Sequence, residues 1–558
     1  MLRKIKSVYI TEMIFKHIRS KKKLSIIKYN KKLISQLKIT KEDFESYVYL
    51  KDFNEKYNLN IADIDIPALD LSNHLHIKNK GLEFLSKIKF KNLRLLDLSH
   101  NRITDISLLE DMNFENLEIL NLSFNQINNI NVLEKVNFKE LREINLSNNI
   151  ISDINILERV KFEKLEILNL GNKYNLYNLT NRMITKNCNE ISNIDILEKV
   201  NFKNLKVINF SLNNIDNLNV LEKVKFNELR ELNLNKCFNE DYLFTKLYLS
   251  VLEKVHFEKL EILNLGENHI VDIDFLSKVN FPELKVLNLS HNGISNINIL
   301  EKINFQNLRE LYLDNNKIID IKIFKKVNFE NLETLNINDN KIADISILEE
   351  VSFKKLKKLN LTKNNISNIE RLENVNFVDL KVLEICCIEK SDISFLVKLK
   401  FEQLETLNLG LNNIEDISIF EHVNFLNLKG LNLKSNFISD LKAFENVKFK
   451  NLEILNLCDN KISNINILEN LPFKELKELI LGENEISDIE VLERLKFEKL
   501  EILKLNFNKI ENIRILEKIN LKNLKILDLS YKLFKAKSIL EKVKIEKILL
   551  KGNKVEIS

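Results

Sequence analysis

The sequence predicts an α/β solenoid: short parallel strands on one face, short helical or 3-10 returns on the other, and a small helical cap in front. Three observations carry this. A 24-residue period fills most of the 558 residues. Within each period a Leu-x-Leu alternation, which suits a short strand, gives way to apolar residues three apart, which suit a 3-10 turn. Third, only 8 Gly and 3 Pro occur, where average usage would supply roughly 39 and 28. Collagen-like, Pro-rich and Gly/Ser-rich architectures are therefore excluded. No GxGxxG or GxxxxGK(S/T) loop occurs, which argues against nucleotide enzymes. With 44% hydrophobic and 30% charged residues, the chain has enough apolar surface to bury a core.

Phe sets the frame. It recurs at Phe90, Phe114, Phe138 and Phe162, then at Phe202 and Phe226, then every 24 residues from Phe257 to Phe497, with Leu521 and Ile545 taking its place. The two longer intervals hold insertions of 16 and 7 residues, at 172–187 and 238–244. Residues 61–558 thus read as a solenoid of about 18 full repeats with partial end repeats. In one unit, Leu96 and Leu98 form the strand, Asn101 turns the chain, and Ile106, Leu109 and Met112 make the return. One unit cannot bury that face alone, so neighbours must stack.

Each polar column has a structural reading and a functional one. The Asn101 column can satisfy backbone groups left unpaired by the turn, since its amide offers two donors and an acceptor; Cys237 replaces it once. An Asp/Asn column from Asp105 to Asn512 suits a helix N-cap or an Asx-turn better than a cation site, because Asp and Asn exchange freely. A third column lies on the strand face and includes Asn121, Asn145, Asn169, Asn264, Asn288 and Asn336. Stacked amides there could form a ladder, or they could meet a partner. Tyr312 breaks this column and is the most interface-like departure. Two residues before it runs an aliphatic strip that includes Ile119, Ile167 and Ile262. Beside that lies a mixed-charge column, Arg94 to Glu261, that suits lateral ion pairs. Tyr174 and Tyr177 in the first insertion and Tyr242 in the second are expected at a projecting, binding-competent rim.

The run LxxLxLxxNxI, over about residues 66–558, resembles the leucine-rich-repeat signature. Its longer form, LxxLxLSxNxIxDIxxLEKVxF, is similar to the Ile-rich repeats of internalins and phosphatase-regulatory proteins. The resemblance implies a right-handed horseshoe with parallel strands on its concave face, and says almost nothing of function.

Residues 1–60 form a separate basic region with 13 Lys/Arg and one acid in its first 41 residues. Apolar spacing suits two amphipathic helices, and Thr40 to Asp43 could cap a third. The segment ITEMIFKHIRSKKKLSIIKYNKKL resembles a degenerate F-box, although Tyr9-Ile10 stands where that family has Leu-Pro. The resemblance implies that Ile14, Phe15, Ile18, Leu24 and Ile27 form the adaptor-binding and core helices, with a Skp-type ubiquitin-ligase adaptor as partner. A helical cap over the solenoid's open edge is the competing reading, with Lys21–Lys23 as a solvated turn.

No HExxH, local nucleophile motif or cofactor signature occurs, so no enzyme activity, metal or cofactor is expected. The five Cys show no framework spacing and no long apolar run precedes them. An intracellular, cytoplasmic location follows as an expectation. The functional expectation is a non-enzymatic protein-interaction solenoid, with an F-box-like substrate receptor as one form. A plain scaffold, a phosphatase-type regulator and an internalin-like surface adhesin are the alternatives. No nucleic-acid, membrane or small-molecule partner is expected.

Overall fold

The computed structural model describes residues 23, 26–27, 34–35, 37–74, 77–112, 114–173, 188–238, 242–519, 521–530 and 547–549, with backbone alone at 242–244 and 547–549. The chain forms two compact units. One comprises Met1–Ile270 with Lys278–Leu284, the other Val271–Ser277 with Lys285–Ser558.

In the first unit, eight three-residue strands run from Ala68–Asp70 to Ile262–Asn264, each parallel and in register with the next. In the second, twelve run from Val286–Asn288 to Lys547–Leu549 with the same pairing. Successive strands are linked through a 3-10 turn such as Ser107–Asp111 or Asn131–Glu134, where the sequence places its apolar residues three apart. The middle residue of each strand from Ala68–Asp70 to Ile526–Asp528 faces the core; Leu96, Leu120 and Leu168 are fully buried. The frame-setting Phe residues fill the interior behind them, with Phe114 and Phe138 rings 6.2 Å apart in the first unit and Phe449 and Phe473 at 6.2 Å in the second.

The signature Asn acts as the turn chemistry requires. Asn125 is fully buried. Its Oδ1 accepts the Asn101 and Ile103 amides at 3.0 and 2.9 Å, and its Nδ2 donates to the Leu98 and Leu122 carbonyls at 2.9 Å each. Each such Asn therefore stitches its own turn to the preceding repeat. Cys237 takes the position in its repeat, its Sγ 3.0 Å from the Phe210 carbonyl. After the first insertion the role passes to Asn189, which accepts the Ile151 amide and donates to the Leu146 and Leu170 carbonyls.

The column from Asp105 onward forms Asx-turns into the 3-10 segments: Asp105 Oδ1 accepts the Ser107 amide and Asp416 Oδ1 the Ser418 amide, each two residues on. Asn and Asp do this equally well, hence their exchange. The few glycines serve a different need. A Cβ on Gly171 would stand 2.5 Å from Ser211 Oγ, so the position needs a missing side chain, with no left-handed backbone involved. Left-handed backbone falls one residue later, and there the chain uses His100, Leu212, Leu411 and Phe507, with φ of 58, 56, 57 and 55°.

That placement leads to a stability prediction. A bulky residue in the left-handed region costs roughly 1–2 kcal/mol, part of which glycine's extra chain entropy cancels. Leu411 is 54% exposed, so its side chain contributes little burial. Leu411→Gly is expected to stabilise the chain by up to about 1 kcal/mol, read as a higher urea midpoint at unchanged slope.

Before the first repeat lies helix α1, Lys41–Tyr57, capped as the sequence predicts: Asp43 donates its amide to Thr40 Oγ1 at 3.1 Å and returns the bond through Oδ2 at 2.9 Å. Its buried face carries Tyr47, Leu50 and Phe53. Phe53 meets Phe84 of helix α2, Lys78–Leu85, at 6.2 Å. Lys23 corrects the expectation of a solvated lysine turn. It is fully buried, paired with Asp63, and Asp63 also accepts the Tyr47 hydroxyl at 2.5 Å. The second insertion runs into a helix at its described end. Tyr242–Leu249 form helix α3, whose Thr245 and Leu249 are buried.

Candidate interaction surface on the strand face

Three side-chain columns cover the strand face, and two are occupied with holding the repeats together. The mixed-charge column forms lateral ion pairs. In the first unit Arg94 meets Glu118 at 3.2 Å, Glu166 is shared by Arg142 and Lys206 at 2.7 and 2.6 Å, and Arg230 pairs with Glu261. In the second, Glu333 pairs with Lys357 at 2.7 Å, and Glu405 takes Lys381 and Lys429 at 2.8 Å each. Those two lysines push the Glu405 carboxyl down to about 2. Such exposed pairs are each worth about 0–1 kcal/mol; what they do here is neutralise the column.

The Asn column at the third strand position ends the strands. Asn121, Asn145, Asn169 and Asn264 in the first unit each accept, through Oδ1, the amide two residues on, at 3.1–3.2 Å. Asn288 and Asn336 do the same in the second unit, at 2.9 and 3.3 Å. The expected amide ladder is realised at one step among the described residues, Asn209 Nδ2 to Asn169 Oδ1 at 3.0 Å. Asn121 and Asn336 instead donate to Asp97 and Asp314. The Asx-turn accounts for the column better than stacking does. It is missing at Tyr312, Glu384, Ile480 and Lys504, side chains that cannot close such a turn.

Tyr312 is half-buried, and its hydroxyl donates to Glu310 Oε2 at 2.6 Å. Burial and that neighbouring carboxylate raise its pKa, so the hydroxyl stays protonated. Tyr174 and Tyr177 lie outside the described residues, as does the side chain of Tyr242 at the start of α3. Of the residues placed on an adaptor-binding face, Ile14, Phe15, Ile18 and Leu24 lie outside the described residues; Ile27 is fully buried.

The remaining column, the first strand position, is not used structurally in the same way. In the first unit it reads Leu95, Ile119, Glu143, Ile167, Val207, Glu231 and Ile262 across register-paired strands, all half-buried. Burial raises the Glu143 and Glu231 carboxyls above the usual range. In the second unit the comparable acids are engaged, Glu310 by Tyr312 and Glu478 by Lys504 at 3.2 Å. Sequence reasoning passed over Glu143 and Glu231 because it sought departures in the Asn column. The signal was the break in the aliphatic strip.

Comparison with known proteins agrees with this geometry. The family model "Leucine Rich repeats (2 copies)" matches residues 91–135, 258–302 and 306–350. None of the curated proteins matches the chain. Among solved structures, an internalin from Listeria monocytogenes is 28% identical over 53% of this chain and 82% of its own, with a TM-score of 0.43. A leucine-rich-repeat protein of Leptospira interrogans is 20% identical over 84% of this chain and 98% of its own, at 0.43. The TLR13–ssRNA13 complex is 19% identical over 89% and 81%, at 0.50.

Proposed function

Given that the chain is a leucine-rich-repeat protein, we propose that it is a non-catalytic protein-recognition solenoid whose strand face holds the partner. The carrying observation is the first strand position of the first unit. It is an aliphatic strip interrupted by Glu143 and Glu231, half-buried and flanked by two columns that the fold itself satisfies. A surface of that kind gains by covering its apolar area with another protein.

Affinity purification of the intact chain identifies the partner, and Ile167→Arg tests the face. The substitution places a charge at the strip's centre without touching the buried middle residue Leu168. Loss of partner binding by about 30-fold or more is expected, as for a central interface residue. Full retention would remove the strand face from consideration.

In this reading the N-terminal residues cap the solenoid, because Lys23 and Ile27 are both fully buried. The adaptor-recruiting form needs the helix face containing Ile27 to be free. Capture of a Skp-type adaptor by the intact chain would restore it.

A further inference from the structure

Two carboxylates on the strand face of the first unit stand without a partner among the described residues. Glu143 lies between Ile119 and Ile167 on the paired strands, and Glu231 between Val207 and Ile262. Both are half-buried, and neither takes a hydrogen bond or an ion pair among the described residues. Their surroundings make this notable. One column away, Glu118, Glu166 and Glu261 are all matched to an Arg or Lys. The fold thus neutralises its acids where it can and leaves these two bare in an aliphatic strip.

We propose that this strip binds an extended segment of a partner protein that crosses the strands and carries two basic side chains four residues apart, with an aliphatic side chain between them. The inference rests on the strand-face reading above and gives it a partner chemistry. The spacing follows from the register. Glu143 and Glu231 are three strand steps apart, through Ile167 and Val207. At about 4.8 Å per step that is roughly 14 Å. An extended chain advances about 3.4 Å per residue, so four residues span about 13.5 Å. Side chains at i, i+2 and i+4 also point the same way. The two basic groups would meet the two carboxylates, and the middle side chain would rest between Ile167 and Val207.

The free protein bears a cost for this arrangement. A carboxyl whose folded pKa is raised favours folding while protonated, and that advantage is lost as pH rises through the unfolded and then the folded pKa. A neutral amide in place of either carboxyl removes the cost of burying its charge, so Glu143→Gln and Glu231→Gln should each raise Tm. A cationic ligand removes the same cost by pairing with them. One competing occupant lies in the chain itself: the insertion at 172–187 carries Lys173, Arg182 and Lys186 and no acid.

The test uses the intact chain and labelled nine-residue peptides with two Lys at separations of two, four or six and Ile midway, read by fluorescence anisotropy. An acidic peptide set is the control. The separation-four peptide is expected to bind at least tenfold tighter than the others, and to lose about tenfold with either Gln variant while Tm rises. Binding indifferent to spacing, or unchanged in both Gln variants, overturns the charge inference. If Ile167→Arg then still abolishes partner capture, the strand-face reading stands; if it does not, both fall. A lower Tm in either Gln variant makes that carboxylate structural and overturns the proposal. A tenfold gain in peptide binding on Arg182→Ser with Lys186→Ser assigns the strip to the chain's own insertion and overturns it as well.

Discussion

Asn125→Ala is expected to destabilise the first unit by roughly 3–6 kcal/mol, among the largest effects available to a single surface-neutral substitution. The Asn101 and Ile103 amides lose their acceptor, and the Leu98, Leu122 and Ser123 carbonyls lose a donor. The side chain is fully buried, so water does not replace it without opening the turn. Each orphaned buried group costs about 1–3 kcal/mol, less whatever relaxation recovers. A second substitution isolates the mechanism. Asn121→Ala removes from the half-buried third strand position the acceptor of the Ser123 amide and hydroxyl, along with the donation to Asp97, all in reach of water. Its cost should be near 1 kcal/mol, as for a lost cap. Urea unfolding of both variants decides the matter. Equal losses would mean that the signature column is no more important than the strand-end column.

The difference between those two columns shows what the sequence could and could not reveal. The period, the 3-10 returns and the buried Asn were all legible, because the same local pattern is stated afresh in each repeat. The Asx-turns of the column from Asp105 were legible too, as a free exchange of Asp for Asn; those of the strand-end column, read as a ladder or a contact surface, were not. Partnerships outside the repeat frame were not. Lys23 and Asp63 are 40 residues apart and meet only once α1 has docked. Within a run of three lysines nothing local marks Lys23 as the buried one. Asn189 was hidden for a related reason: the insertion displaced it from the 24-residue frame, although Ile191 stands two residues after it as Ile103 does after Asn101. Glu143 and Glu231 were visible as residues but not as a site. Their interest lies in lacking the neighbours that Glu166 and Glu405 possess, and a missing neighbour is a property of three dimensions.

The same long-range pair carries the other large prediction. Asp63→Ala should cost about 3–5 kcal/mol, because it removes the carboxylate paired with the Lys23 ammonium in a site with no exposure. Tyr47 loses its acceptor as well, and Ile64 loses the oxygen to which its amide donates at 2.8 Å. Removing both charges is a different matter. In Lys23→Met with Asp63→Asn neither charge of the pair remains, and the Asn oxygen can still accept from Tyr47, so most of the loss should be recovered. Where the loss is felt distinguishes the two readings of the N-terminus. Tyr47 lies on α1, and α1 is tied to the first repeat through Asp43 to Lys91 at 2.9 Å and through Ser46 Oγ to the Lys89 amide at 3.0 Å. As a cap, the region shares its stability with the first repeats, and Asp63→Ala should lower hydrogen-exchange protection in the neighbouring strands Leu95–Asp97 and Ile119–Asn121. As a detachable adaptor-recruiting module, it would lose its own protection and leave those strands unchanged. The buried pair and the two bonds to the first repeat favour the cap, because an element that must be free to engage an adaptor gains nothing from fixing a charge inside the repeat's edge.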